Sequence, residues 1–194
     1  MGFAQAGTAQ ADGNNLAMQA EEASGLAAGG QVFWLAGQSL QISAGQNENL
    51  PVGWVADTPF ATNGASFSYS DETIDLSTAA NPAPESVYQS LRYLGIVPLT
   101  YIIPGFDPTR TYTVRFHWME PNPGGRDISA SINGTVVLPD VNILALTGGI
   151  FRALSVDVDG LQSDPTGTFT IDFTASGANP AAFINGMELF SASV

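Results

Sequence analysis

The stretch Thr111-Tyr-Thr-Val-Arg-Phe-His-Trp-Met-Glu120 alternates large apolar residues with residues of mixed character. Because side chains of a β-strand point alternately to its two faces, this spacing predicts a strand with one fully apolar face. That face carries Tyr112, Val114, Phe116 and Trp118. The opposite face, which we expect to be outward or half-covered, carries Thr113, Arg115, His117 and Met119. A strand of this kind packs its apolar face on a second layer.

Further alternating segments extend the same pattern along the chain. The predicted strands are 39–44, 154–158, 168–174 and 182–190, the last of them kinked near Gly186. Residues 127–138 predict a hairpin, since the Asn133-Gly134 pair suits the positive φ angles of a type I′ turn. Another turn is predicted at Asp159-Gly160. With 21 Gly and 12 Pro to supply turns, the chain is predicted to be an all-β, two-sheet antiparallel sandwich.

Composition excludes several classes of function. The net charge is −13, with 18 acidic residues against five basic ones, all Arg. Such a chain repels phosphate backbones and anionic lipid, so neither nucleic-acid binding nor membrane insertion is expected. There is no Cys to serve as a nucleophile, and His117 is the only histidine. No Gly-x-Ser-x-Gly motif is present, so we predict that the chain is not an enzyme.

The N-terminal residues differ in composition from the rest. They are rich in Ala, Gly, Gln and Asn, which predicts an arm or linker over residues 1–38 and a sandwich over residues 39–194. The residues after Met1 lack the basic and apolar regions of a secretory signal. If Met1 is the natural start, we expect a virion or other outer-surface assembly. If the sequence is a fragment, we expect an extracellular protein.

One pair of acidic residues is a weak candidate for calcium. Asp157 and Asp159 stand two positions apart before a glycine. Calcium takes six to eight oxygen ligands, and the rest of a calcium-binding loop is missing here. The sequence therefore predicts no cofactor and no metal site, with calcium at Asp157 and Asp159 as the weak alternative.

An ordered series of segments resembles the malectin and malectin-like family of carbohydrate-binding domains. The segments that carry the resemblance are Leu40-Gln-Ile-Ser-Ala-Gly45, Gly53-Trp-Val-Ala-Asp57, Val87-Tyr-Gln-Ser-Leu-Arg-Tyr93, Tyr112–Glu120, Arg126–Leu138 and Ala182-Phe-Ile-Asn-Gly-Met-Glu188. The similarity runs from about residue 40 to residue 190 and implies a jelly-roll sandwich. It leaves residues 1–38 outside.

The resemblance implies a sugar site built from loop aromatics. Tyr93 matches a sugar-stacking tyrosine of the family, and Phe67 and Tyr69 could replace another. Trp54 completes the predicted carbohydrate-binding set. Two positions depart from malectin: Pro121-Asn-Pro123 stands where malectin has two aromatics, and Ala178 stands where it has an acid.

Two hypotheses follow from these features. The first is a non-enzymatic carbohydrate-binding or adhesion module on an outer surface, which binds an oligosaccharide or a glycan surface. The second is a structural assembly subunit, such as a virion decoration protein, in which residues 1–38 bind neighbouring subunits and sugar binding is lost or secondary. In that case a homo-oligomer is a further expectation. Glycan binding and the effect of deleting the arm separate the two.

Overall fold

The structure, a computed structural model, describes residues 38–177 and 179–191. Twelve strands form most of its regular secondary structure: β1 Ser39–Ser43, β2 Trp54–Ala56, β3 Ala65–Ser68, β4 Ser90–Leu94, β5 Leu99–Ile103, β6 Tyr112–Met119, β7 Asp127–Ile132, β8 Thr135–Asn142, β9 Ala153–Leu161, β10 Phe169–Ser176, β11 Ala182–Ile184 and β12 Gly186–Ser191. The helices are short: a 3-10 turn Leu76–Thr78, α1 Glu85–Tyr88 and α2 Ile143–Thr147. The predicted arm, apart from Gln38, lies outside the described residues.

The strands form three hydrogen-bonded sheets around one shared core. A five-stranded sheet has the order β2-β1-β12-β6-β9, a four-stranded sheet the order β5-β10-β7-β8, and a three-stranded sheet the order β11-β4-β3. All pairs are antiparallel except β1 with β2. One hydrophobic cluster takes buried side chains from each of the three sheets. The prediction of an all-β sandwich is confirmed, with the second layer divided in two.

Strand β6 supplies the centre of that core. Its predicted apolar face is fully buried: Tyr112 is 1% exposed, and Val114, Phe116 and Trp118 are 0% exposed. The Trp118 ring stacks on Phe116, with 5.3 Å between ring centroids, and its indole N–H donates to the Phe183 carbonyl at 2.8 Å. Burial of such aromatic side chains removes a large apolar area from water and so favours folding.

The opposite face of β6 is not outward, which corrects the sequence prediction. His117 and Met119 are both 0% exposed. Met119 belongs to a second buried cluster, together with Trp54 of β2, Tyr88 of α1 and residues of the loops between them. The segment leading into α1 folds over this face of the five-stranded sheet. Period-two alternation within one strand detects only one packing layer, and this cover comes from parts of the chain that are distant in sequence.

The predicted hairpin is confirmed, and the predicted turn at Asp159-Gly160 is wrong. Asn133 and Gly134 have φ values of 50° and 79° between β7 and β8, as a type I′ turn requires. Gly160 instead lies inside β9, with a φ of 73°. The register between β6 and β9 shifts between Tyr112 and Val114, opposite this glycine. Its positive φ therefore serves a β-bulge, after which the strand continues.

The final segment changes sheets at one residue. Strand β11 pairs with β4 in the three-stranded sheet, whereas β12 pairs with β1 and β6 in the five-stranded sheet. The break lies at Asn185, which is 0% exposed. Its side-chain oxygen accepts from the Met119 N–H at 2.8 Å, and its amide donates to the Tyr88 and Ser90 carbonyls at 2.8 and 2.6 Å. The predicted kink near Gly186 is therefore a change of sheet, held by the Asn185 side chain.

A candidate binding cleft on the three-stranded sheet

One face of the three-stranded sheet forms the floor of a cleft. The register places Tyr93 of β4 between Ala65 of β3 and Phe183 of β11, and places Phe67 opposite Leu91. Directly paired residues of an antiparallel sheet share a face, so these side chains lie together. The loops after β6 and before β11 add walls. The space enclosed is about 200 Å³, lined by Phe67, Tyr69, Leu91, Tyr93, Pro121, Asn122, Arg126, Asn179, Ala181 and Phe183.

Three aromatic side chains open onto this cleft. Phe67 is 51% exposed and Tyr93 is 38% exposed, and both are large hydrophobic groups on the surface. Tyr69 is half-buried beside Phe67, with 4.8 Å between the ring centroids. Its other side meets Phe151 edge-on at 6.0 Å. The rings therefore form a supported apolar surface at the rim and are not isolated side chains.

A buried ion pair closes the base of the cleft. The Glu120 carboxylate, which is 0% exposed, accepts from the Arg126 Nε at 3.0 Å and from Nη2 at 2.9 Å. The Asn122 N–H also donates to Glu120, at 3.0 Å. Two-point contacts of this kind fix the planar guanidinium in one orientation. The loop between the two charged residues is thereby held in place.

Arg126 also connects the floor to the strand beside it. Its Nη1 donates to the Ala181 carbonyl at 2.6 Å, and its guanidinium carbon lies 4.8 Å from the Phe183 ring centroid. Burial raises the pKa of the Tyr69 hydroxyl; the Arg126 charge opposes this rise, while Glu120 and Tyr93 add to it. The Tyr69 phenol is therefore protonated at neutral pH and can donate a hydrogen bond.

The structure brings together three of the four predicted sugar-binding residues. Tyr93, Tyr69 and Phe67 share the cleft, with Pro121 and Asn122 at the position where malectin has aromatics. Trp54 does not join them, because it is 4% exposed and its ring packs edge-on against His117. Its indole is core, and we remove it from the candidate site. Ala178 lies outside the described residues.

Arg126 is the charged residue among those that line the cleft, and it was not predicted as a site residue. Glu120 and Arg126 flank the turn-rich run Pro121-Asn-Pro-Gly-Gly125. An acid and an arginine at the two ends of such a turn are placed to pair across it, and this spacing is the signal that could have identified them.

The two acids proposed as calcium ligands are engaged by other residues. Both lie in strand β9, where Asp157 makes a two-point ion pair with Arg115 at 2.7 and 2.8 Å. Asp159 accepts from the Thr113 hydroxyl at 2.6 Å. Within residues 38–177 and 179–191, no group of three His, Cys, Asp or Glu side chains is arranged to hold a metal ion.

The single histidine lies in a buried polar network away from the cleft. The two His117 ring nitrogens lie 2.9 Å from the Tyr88 hydroxyl and 2.9 Å from the Glu188 carboxylate. The Ala83 N–H donates to the same Tyr88 hydroxyl, at 3.2 Å. Since His117 is 0% exposed, it has no access to a substrate. A general base must reach the proton that it removes, so this network is structural.

Comparison with known proteins shows which proteins the chain resembles in sequence and in fold. No protein-family model matches the chain. Receptor-like protein 4 of Arabidopsis thaliana is 31% identical over 170 residues, which cover 84% of this chain and 23% of that protein. The chain thus spans about a quarter of the curated relative.

Solved structures show the same fold at lower identity. The ANXUR2 extracellular domain from Arabidopsis thaliana superposes with a TM-score of 0.68 at 20% identity, over 80% of this chain and 49% of that one. A structure of the plant peptide RALF23 in complex with FER and LLG2 gives 0.67 at 16% identity, over 88% and 55%. A β-glucuronidase from Bacteroides uniformis gives 0.61 at 21% identity, over 81% of this chain but 18% of the enzyme.

These findings confirm the resemblance that the segment order predicts. The receptor ectodomains share the sandwich, and the curated relative matches in sequence along most of it. No helix among residues 38–177 and 179–191 has the length and apolar character needed to span a bilayer. Both the fold and the sequence match to the curated relative identify the chain as a malectin-like β-sandwich domain.

Proposed function

We propose that the chain is a non-enzymatic, extracellular binding module that holds a saccharide against Phe67, Tyr69 and Tyr93. The observation that carries this proposal is the convergence of these three aromatic side chains on one cleft. Two of them, Phe67 and Tyr93, are the only exposed aromatic side chains among the described residues. Exposed aromatic rings that share a concave surface mark a ligand site more often than a packing defect.

The chemistry of the cleft suits a neutral, hydroxyl-rich ligand. Ring faces pack on the C–H surface of a sugar, and the Asn122 and Asn179 amides can donate to and accept from its hydroxyls. Arg126 has five N–H donors, of which three are bonded to Glu120 and Ala181 among the described residues. Its charge is neutralised by Glu120, so the remaining two can donate to a neutral ligand.

The same geometry supports binding without hydrolysis. Glycoside hydrolysis requires two carboxyl groups on either side of the scissile bond, about 5–9.5 Å apart. None of the residues that line the cleft is Asp or Glu. The Glu120 carboxylate is buried beneath the cleft, where it accepts hydrogen bonds from Arg126 and from the Asn122 N–H. The match to a glucuronidase covers 18% of that enzyme and carries no catalytic residue to this chain.

A glycan array tests the proposal directly. The full chain is expected to bind a subset of glycans, and Tyr93→Ala is expected to weaken binding by about tenfold, the loss of roughly 1.4 kcal/mol of ring contact. Val136→Ala is the matched control, since Val136 is 60% exposed on β8 and lies outside the cleft. An array without a single bound glycan, or equal binding by Tyr93→Ala, would contradict the proposal.

The assembly hypothesis rests on residues 1–38, which apart from Gln38 lie outside the described residues. One observation supports a protein partner: a similar structure is a complex of RALF23 with FER and LLG2. We propose the arm as a binding segment for neighbouring subunits, tested by deleting residues 1–37. The sandwich should stay folded while assembly is lost; unchanged assembly would overturn this role. None of the relatives named above is a virion protein, and we do not extend the proposal to a virion.

A further inference from the structure

Strand β3 is an edge strand whose free side lacks the protection seen at the other sheet edges. It pairs with β4 on one side, and no strand among the described residues pairs with it on the other. Its sequence Ala65-Ser-Phe-Ser68 contains no charge and no proline, and all four residues are exposed. Unpaired N–H and C=O groups on an edge of this kind are a template for a further strand.

The other edges of the sheets each carry a protective feature. Strand β8 contains Pro139 and a positive φ at Asp140, with register shifts against β7. Strand β9 carries acidic residues and the bulge at Gly160. The edge of β5 is covered by residues 60–62, which form backbone hydrogen bonds with it. Strand β2 is only three residues long, and strand β11 is fully buried. Pro, charge, bulges, short length and cover are the usual means of preventing strand addition. Strand β3, with four residues, has no Pro, charge, bulge or cover.

The hydrogen-bond pattern shows which groups face the free side. The Tyr69 N–H donates to the Gln89 carbonyl at 2.7 Å, which extends the β3–β4 ladder by one pair. Pairs in an antiparallel ladder alternate between bonded and non-bonded, so Phe67 and Ala65 bond inward to β4. The N–H and C=O groups of Ser66 and Ser68 therefore point away from β4. These four groups have the two-residue spacing that an incoming strand needs.

We infer that the free edge of β3 binds an extended peptide segment of a protein partner by strand addition, with an apolar peptide side chain packed on Phe67. Ser66 and Ser68 would make the bonded pairs with the peptide, which leaves Phe67 at a non-bonded pair. Residues opposite each other there have Cα atoms about 4.5 Å apart, close enough for direct side-chain contact. The peptide residue opposite Phe67 would thus lie at the rim of the cleft.

Charge at the end of the strand selects the peptide further. Asp71 and Glu72 follow β3 closely and are exposed, and the whole chain carries −13. In an antiparallel addition, the N-terminal part of the peptide lies beside the C-terminal end of β3. A Lys or Arg on that side of the apolar residue would meet these acids. The partner segment is therefore extended, free of proline, basic at its N-terminal side and apolar at the residue facing Phe67.

The probe is an array of synthetic ten-residue peptides with alternating Thr and apolar residues and two Lys at the N-terminal end. Peptides with the same composition but a central proline are the matched probes. The full chain is expected to bind the uninterrupted peptides only. Ser66→Pro removes one outward N–H without touching the bonds to β4, and is expected to weaken binding by about tenfold. Ser66→Thr keeps that N–H and should bind as the wild type does.

Amide hydrogen exchange gives a second measurement that does not depend on a variant. In the free protein the Ala65 and Phe67 amides should be protected and the Ser66 and Ser68 amides should exchange fast; peptide should slow the last two selectively. Equal binding by Ser66→Pro, or failure of every peptide to bind, overturns the inference. Protection of Ser66 and Ser68 without peptide also overturns it. Protection that does not depend on protein concentration would show that another segment of this chain occupies the edge. Protection that increases with protein concentration would show that a second copy of the chain occupies it.

Discussion

The Arg126 guanidinium and the Glu120 carboxylate face each other through two hydrogen bonds of 3.0 and 2.9 Å, with side chains 4% and 0% exposed. Removing one partner of such a pair leaves an uncompensated buried charge, which costs about 3–5 kcal/mol. Arg126→Met is therefore expected to lower the free energy of unfolding by that amount, measured by urea denaturation. Replacing both residues, as in Glu120→Leu with Arg126→Met, should recover most of the loss.

A surface pair serves as the control for this prediction. Arg110 and Asp107 are 43% and 32% exposed, with 3.3 Å between the charged atoms. Arg110→Met is expected to change the free energy of unfolding by less than about 1 kcal/mol, because exposed pairs are screened by water. Equal losses in Arg126→Met and Arg110→Met would contradict the buried-pair argument.

Asn185→Ala should be among the most damaging single substitutions in the domain. The Asn185 side chain makes three buried hydrogen bonds, to the Met119 N–H and to the Tyr88 and Ser90 carbonyls. Each buried group left without a partner costs about 1–3 kcal/mol, so a loss of at least roughly 3 kcal/mol is expected in urea denaturation. Asn81→Ala, at an exposed position, should stay within about 0.5 kcal/mol of the wild type. A small loss for Asn185→Ala would show that the sheet change does not depend on this side chain.

Gly186 follows that side chain in a space too small for a methyl group. A Cβ there would lie 2.6 Å from Val87 Cγ1 and 3.0 Å from Trp54 Cζ3. Gly186→Ala is therefore expected to destabilise the domain by about 1–3 kcal/mol through overpacking, seen as a lower Tm. Gly124→Ala is the control, because a Cβ at Gly124 meets nothing within 4 Å. The prediction is wrong if the two alanine variants melt together.

The Glu188 carboxylate is expected to contribute to the stability of the folded domain, and this contribution should be lost in acid. Burial raises its pKa, but the hydrogen bonds from His117 and Gln41, with the charges of His117 and Arg115, lower the pKa below its ordinary value of 4.5. A group with a depressed folded-state pKa stabilises the protein above its unfolded pKa, and that contribution disappears as the pH falls through the folded value.

Urea denaturation of the wild type and Glu188→Gln from about pH 7 to about pH 3 measures this contribution. The difference between the two should be largest above about pH 5 and should shrink below pH 4.5, the ordinary value for this group. Glu48→Gln makes the same charge change at an exposed residue and should stay within about 0.5 kcal/mol of the wild type. A difference for Glu188→Gln that does not vary with pH would contradict the assignment.

The local patterns in the sequence predict the sandwich because each depends on neighbours along one strand. The apolar face of β6 and the Asn133-Gly134 turn follow from residues a few positions apart, and both are confirmed. The burial of His117 was not predicted, because its cover comes from Trp54 of β2 and Tyr88 of α1, which are distant from it along the chain. Alternation within one strand contains no information about such a cover.

The cleft shows the same division between local and distant information. Tyr93 was predicted from the resemblance, with Phe67 and Tyr69 as substitutes for another tyrosine of the family; the register of β3 against β4 brings them together. Trp54 does not belong to the cleft. The sequence around it is turn-rich, and such a sequence does not distinguish a buried aromatic side chain from an exposed one. Which of the two applies is decided by packing across the fold.

The pairing of the first described strand with the last has a mechanical consequence. Ser39 of β1 lies opposite Phe190 of β12, and the two strands run antiparallel. The chain therefore enters and leaves the domain at neighbouring points, and a pulling force applied through the flanking segments would act across this pair at one end. Such a load opens the β1–β12 bonds one after another, as a zipper, and does not shear them all together. In a longer protein the domain would lie to one side of the line along which the force acts, and it would unfold at low force.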